Sequence, residues 1–310
     1  MVAAGCDSQP NHQFRKGETG MKAQLRGVRL VNYGSYLPTR SLSNFDLSLL
    51  NGQLSTWAEN NLGIRNRHVC EEHETASDMA VYCIKKIYND NTSHKLTDVD
   101  LVILATSSPD QQAPSTATIT LSKLEANGIP AFDISAVCSG FLFGLITAAQ
   151  YIRSGMYDRI LVVGTDCFSK VTDWERKDSV FFGDGAGAIV LEASWAPNHI
   201  FESSMVCDVT GVGNFEIPPG ATHFQMNGKE VFSSASSLVP IAIKDVLNKC
   251  GMLSSDIDVV IPHQPSKTYY VLSLKSRESR SVNFIPTWIQ LAILSRGLFR
   301  SHCVMQSPKV

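Results

Sequence analysis

Ile129-Pro130-Ala131-Phe132-Asp133-Ile134-Ser135-Ala136-Val137-Cys138-Ser139-Gly140-Phe141 is the stretch on which the reading of the whole chain turns. Ile129 to Ile134 is a short apolar run broken by Pro130 and Asp133, and Phe141 to Ile152 is a longer apolar run with helical spacing and no proline. The spacing predicts a strand that hands over to a buried helix, with Cys138 at the junction. The first N–H groups of a helix have no partner within it and point back at such a residue. The helix dipole favours a thiolate there, which turns an ordinary thiol into a nucleophile. Small neighbours, Ser139 and Gly140, leave room for a carbonyl to approach. Taken alone, a buried cysteine is more often a small core residue.

Working outward, strands and helices alternate. Val28 to Tyr33 reads as a strand closed by Gly34-Ser35-Tyr36-Leu37-Pro38, and Ala76 to Tyr88 has helical periodicity. Leu101 to Thr106 is a continuous apolar run of the kind found in a strand covered on both faces; Ile160–Gly164 and Ala188–Leu191 repeat it. Such alternation predicts an α/β fold on a mixed or parallel sheet. Residues 192–230 read as loops, Ser236 to Cys250 as a helix ended by Gly251, and Asp258 to His263 as another buried strand. His263 thus stands at the carboxyl end of a strand, where α/β folds place their chemistry, and becomes a candidate partner for Cys138.

Composition sets outer limits. The 310 residues are 44% hydrophobic and 18% charged, enough for a large core, and a net charge of −2 argues against nucleic acid as a partner. No apolar run reaches the length of a membrane-spanning helix. The eight cysteines (6, 70, 83, 138, 167, 207, 250, 303) show no C-x-x-C pair and no metal-ligand spacing. That pattern predicts reduced thiols, a cytoplasmic location and no metal. Ala3-Ala4-Gly5-Cys6 lacks the preceding apolar region of a lipoprotein signal, and residues 1–24 are expected to be a disordered polar extension.

Ala136-Val137-Cys138-Ser139-Gly140-Phe141 resembles the active-site segment of the β-ketoacyl-acyl-carrier-protein synthase III family, within the thiolase-like superfamily. Five further segments agree in order: Gly34–Pro38 with Asn44, Trp57 with Leu62–Arg67, Phe182-Gly183-Asp184-Gly185-Ala186-Gly187-Ala188, Met226–Phe232, and His263-Gln264-Pro265-Ser266. Each is weak alone, because a glycine-rich turn such as 183–187 ordinarily lets a strand pass close under a helix.

The resemblance implies a thiolase-like fold, two similar α/β halves in five layers (α/β/α/β/α), usually a homodimer. Residues 25–195 would form the half with the nucleophile and 196–310 the second half, incomplete, with 267–310 atypical. It implies an acyltransferase without a cofactor. Cys138 would take an acyl group from acyl-CoA and pass it to the carbanion left when malonyl-acyl carrier protein loses carbon dioxide. His263 would serve the decarboxylation, and the backbone N–H of Cys138 a second oxyanion hole. Trp57 and Arg176 match the pair that holds the coenzyme's adenine between a ring and a guanidinium. Asn61 and Ser266 depart from the family's frequent arginine and asparagine.

The larger departure follows Ser266. Family members carry Gly-Asn-Thr about thirty residues past the histidine, then a glycine-rich loop and a closing strand. Residues 267–310 show neither; Asn283 comes too early and lacks a flanking glycine. Codons permitted for Thr287 to Leu294, taken from the last base of the Thr287 codon, encode Met-Asp-Thr-Thr-Gly-Asn-Thr. A shifted reading frame is therefore expected in this segment. Loss of one oxyanion donor predicts weak condensation or none, by about 10²–10³ in rate. Two alternatives stand beside the synthase: acyl transfer through Cys138 without decarboxylation, and a non-catalytic fragment or decayed paralogue.

Overall fold

The computed structural model describes residues 26–52, 55–89, 95–196, 201–257, 259–261, 263 and 292–294. In chain order its elements are β1 (Gly27–Tyr36), β2 (Ser41–Ser43), α1 (Asn44–Asn51), α2 (Ser55–Leu62), β3 (Asn66–His68), α3 (Ala76–Asn89), β4 (Leu101–Ala105), α4 (Thr116–Lys123), β5 (Ala131–Ile134), α5 (Gly140–Ser154), β6 (Arg159–Cys167) and β7 (Asp184–Ser194). There follow β8 (Phe215–Glu216), β9 (Gln225–Met226), α6 (Gly228–Cys250), β10 (Val259–Ile261) and β11 (Ala292–Leu294).

A five-stranded mixed sheet in the order β1-β7-β6-β4-β5 organises the molecule. β4 runs parallel to β5 and β6, while β7 is antiparallel to β6 and β1. Alternation along the strands divides the core. Val102, Leu104, Leu161 and Val163 face α3 and α4. Leu101, Ile103, Ala105, Ile160 and Val162 face α5. Both faces are covered, which is why these strands read as unbroken apolar runs. The chain leaves β4 towards α4 on one face and leaves β5 towards α5 on the other. β4 and β5 are neighbours, so their carboxyl ends form the crevice of a topological switch point.

Several expected boundaries move. β1 does not close at Tyr33 but continues to Tyr36, and Gly34 lies inside it, where a Cβ would stand 2.7 Å from Ile87 Cγ1 and 2.8 Å from the Cys83 carbonyl. The glycine is there because α3 crosses β1 at that point. Asp184–Ala188 is likewise not a turn but the opening of β7, which pairs with β1 and β6. The helix expected from Ser236 begins at Gly228, where the Asn227 side chain accepts a hydrogen bond from the Glu230 N–H, and it ends at Gly251 in the left-handed conformation as anticipated. Ala292–Leu294 pairs antiparallel with Val259–Ile261 in a separate two-stranded sheet. The segments 1–24 and 267–291 lie outside the described residues. No helix among the described residues is long and apolar enough to cross a membrane.

Candidate active site

Cys138 sits over the switch-point crevice, as the strand-to-helix pattern predicts, but on a 3₁₀ turn (Val137–Ser139) that precedes α5 rather than in the helix itself. The turn is strained: Val137, a β-branched residue, has φ of 44°. No side chain caps α5 at Ser139, so its first N–H groups have no side-chain acceptor. Gly140 rests on β4, where a Cβ would come within 3.1 Å of Ala105 Cβ. Phe141 covers β6, and a Cβ on Gly164 would meet its ring at 3.0 Å. These two small-residue contacts seat the turn of Cys138 on the sheet.

The electrostatics differ from the sequence expectation. Solvent reaches Cys138, yet dense protein on its other sides desolvates the sulfur. That burial, joined by the negative charge of Asp166, pushes the thiol up to about 11. The resting cysteine is therefore a neutral thiol and not the thiolate its place at a helix start predicts: burial and a carboxylate outweigh the helix end. His263, after β10, is partly buried, and desolvation lowers it to about 4. It is neutral at neutral pH and offers one N–H donor and one acceptor. Among the described residues no hydrogen bond joins His263 to Cys138.

Trp57 and Arg176 stand at a second place. Trp57 projects from α2 and is 42% exposed. Arg176 precedes a 3₁₀ turn, Lys177–Phe181. A small core of Leu47, Ala58 and Val180, with Trp174 and Phe181 against it, packs α2 onto the 174–181 segment and brings the two elements together. The Arg176 guanidinium is held by both oxygens of Asp178 at 2.9 and 2.6 Å and donates to the Met226 carbonyl at 3.3 Å. It lies 6.0 Å from the centre of the Phe224 ring. Beside it opens a pocket of about 340 Å³ lined by Asp173, Arg176 and residues 220–225. Asn61 lies on α2 and donates to the Trp57 carbonyl.

Two residues acquire roles that sequence reasoning did not assign. Asp184, inside the glycine-rich motif, accepts from the Cys70 N–H at 2.7 Å, the Ser169 N–H at 2.8 Å and the Ser169 hydroxyl, and so ties the segment before α3 to the one after β6. Asp166 is the next-to-last residue of β6, and its charge acts on Cys138; the signal for it was a carboxylate following an apolar run, Leu161 to Thr165. Among the described residues no cluster of three or more His, Cys, Asp or Glu could hold a metal ion.

Comparison with known proteins follows the same lines. A sequence profile for 3-oxoacyl-[acyl-carrier-protein (ACP)] synthase III matches residues 132–209. The β-ketoacyl-[acyl-carrier-protein] synthase III of Neisseria gonorrhoeae (strain NCCP11945) is 39% identical over 253 residues, 78% of this chain and 78% of its own length. The crystal structure of 3-oxoacyl-[acyl-carrier-protein] synthase III from Aquifex aeolicus VF5 superposes with a TM-score of 0.76 at 33% identity, over 80% of each chain. The priming β-ketosynthase of the R1128 polyketide pathway superposes at 0.74 with 29% identity, over 83% of this chain and 80% of its own.

Proposed function

The chain belongs to the β-ketoacyl-acyl-carrier-protein synthase III family of condensing acyltransferases, with the thiolase-like fold, and on that premise we propose that Cys138 is the residue that carries the acyl group. The observation that supports this most directly is the placement of Cys138 on a strained turn, ahead of an uncapped helix, over the switch point of the sheet. Its sulfur attacks the thioester carbonyl of acyl-CoA, the C–S bond to the coenzyme breaks, and the coenzyme leaves as its thiol. Loss of carbon dioxide from malonyl-acyl carrier protein leaves an enolate. The enolate carbon attacks the Cys138 thioester, the new C–C bond forms, and Cys138 is released as a thiol with β-ketoacyl-acyl carrier protein.

Neutral His263 suits the donor role, since a preformed hydrogen bond to an enolate oxygen accelerates by about 10²–10³. The backbone N–H of Cys138 stabilises the oxyanion of the acyl-transfer steps. Trp57 and Arg176 grip the adenine, with the coenzyme lying along the pocket beside Arg176. The second half is taken to begin near residue 196, and the working enzyme to be a cytoplasmic homodimer. With no family asparagine in residues 267–310, loading of Cys138 outpaces condensation in this chain.

Intact-mass analysis after mixing with acetyl-CoA tests the proposal: an acetyl adduct on the native protein and none on Cys138→Ala. An adduct that survives the substitution would overturn the assignment of the nucleophile. Release of labelled carbon dioxide from malonyl-acyl carrier protein separates condensation from simple acyl transfer.

A further inference from the structure

Two segments from different parts of the chain meet at Arg176. The first is the connection from β6 to β7, residues 168–183, which carries Asp173, Arg176 and Asp178. The second is the hairpin of β8 and β9, in which Phe215 pairs with Met226 and Glu216 with Gln225. So short a hairpin is not stable in water by itself, and its position depends on what it docks against. Each segment contributes one stacked pair of rings: Phe168 on Phe182 at 5.1 Å and Phe215 on Phe224 at 5.5 Å. The pairs interlock through Phe224, whose ring centre lies 4.4 Å from that of Phe182 and 5.4 Å from that of Phe168. The Phe224 N–H also donates to the Val171 carbonyl at 2.9 Å. Phe224 is 1% exposed, whereas residues 220–223 and Gln225 around it are exposed, so this one side chain fastens the tip of the hairpin.

The pocket of about 340 Å³ lies between these segments, lined by Asp173 and Arg176 from one and residues 220–225 from the other. The Arg176 guanidinium lies over the Phe224 ring, 6.0 Å from its centre, and donates to the carbonyl of Met226, two residues further along the hairpin, at 3.3 Å. Asp178 accepts from its Nε and Nη2. Hydrogen bonds made in the plane of a guanidinium fix that plane and leave its faces for a flat ligand. We propose that Phe224 is a positioning residue for the nucleotide end of acyl-CoA, acting through Arg176: its ring seats the hairpin, and the seated hairpin sets the plane of the guanidinium on which the purine lies.

The inference rests on the reading of Trp57 and Arg176 as the grip on the adenine. Phe224 takes no part in the chemistry at Cys138, so it governs affinity for the nucleotide and not the rate of acyl transfer. A residue that served packing alone would loosen the molecule generally and slow every thioester alike. That difference separates the two roles.

The test compares the native protein, Phe224→Leu, Arg176→Ala and the double variant. Calorimetry gives their affinity for coenzyme A, and intact mass against time gives loading of Cys138 from acetyl-pantetheine, a thioester with the same arm and no nucleotide. Phe224→Leu is expected to weaken coenzyme A binding about tenfold, the scale of one lost cation–ring contact. Its loading from acetyl-pantetheine is expected to stay within about twofold of native. Arg176→Ala is expected to weaken binding to a similar extent, and the double variant to bind no more weakly than the weaker single one, because the two residues act as a unit. Slowed loading from acetyl-pantetheine in Phe224→Leu, or full additivity in the double variant, overturns the proposal. Weakened binding in Arg176→Ala with none in Phe224→Leu overturns it and leaves the reading of Arg176 standing. Unchanged binding in Arg176→Ala removes both. If native Cys138 takes no acyl group, the calorimetric comparison decides alone. Should Phe224→Leu lose its cooperative melt, Phe224→Met, which fills the socket without a ring, is judged by the same outcomes. A melt lost in both makes Phe224 a residue of the fold and overturns the proposal.

Discussion

Val137 carries the conformational cost of presenting Cys138. A β-branched residue at φ of 44° is held by its surroundings against its own preference, at about 1–3 kcal/mol. The side chain is 43% exposed, so little burial compensates. Val137→Gly removes the steric penalty and adds backbone entropy of about 0.5–1 kcal/mol to the unfolded state. The variant is therefore expected to keep its stability within about 1 kcal/mol in urea denaturation, while acyl loading of Cys138 slows as the turn loosens. A loss beyond about 2 kcal/mol would mean that the residue is not strained but anchored. Cys138 was legible in the chain because everything that marks it is local: a strand end, small neighbours and a helix start within thirteen or so positions. Asp166 was not, because its donors at Thr106, Ser107 and Ser108 follow another strand, β4, and only the pairing of β6 with β4 brings them together. Nor could the raised thiol be foreseen, since it follows first from burial and then from the Asp166 charge, both set by tertiary packing.

At the scale of elements, glycines are the points where local signals and packing diverged. Gly34 and Gly183 have the composition of turns, yet they serve close approach. Gly34 lies under α3, and a Cβ on Gly183 would stand 2.9 Å from the His68 carbonyl. Gly34→Ala is expected to destabilise by about 1–3 kcal/mol, seen as a lower urea midpoint with unchanged slope. Because one of the two obstructing atoms is the backbone carbonyl of Cys83, trimming Ile87 to Ala in the same chain does not restore it. Full recovery in that double variant would show that side-chain contact alone excludes a methyl group. By contrast, β4 and α3 were readable to within a residue of their bounds, since a strand covered on both faces and an amphipathic helix each leave a periodic trace. The start of α6 was hidden behind Asn227 and Gly228, whose roles as cap and first turn resemble loop chemistry.

Across the whole molecule, apolar burial is concentrated in one sheet: every buried apolar residue among those described lies between Val28 and Leu191, apart from Phe224. Two titratable groups desolvated in the folded chain, outside the ion pairs, then shape the acid response with opposite signs. His263 folds at about 4 against an ordinary 6.5, so between those values the unfolded chain binds the extra proton and stability falls as pH drops. Asp166 folds at about 6 against an ordinary 3.8, so between those values the folded chain binds it and stability rises as pH drops. Over the shared window the two oppose each other, and the wild-type curve is expected to be shallow from about pH 6 to about pH 4. Below that, Asp78 and Glu192, both lowered in the folded state by their cationic partners and hydrogen bonds against the cost of burial, take stability away as they protonate. Asp166→Asn leaves His263 unopposed, so its urea midpoint should fall more steeply than that of the native chain as pH is lowered through the window. His263→Gln leaves Asp166 unopposed and should reverse the slope. Parallel curves for all three proteins would mean that neither group changes its affinity for protons on folding.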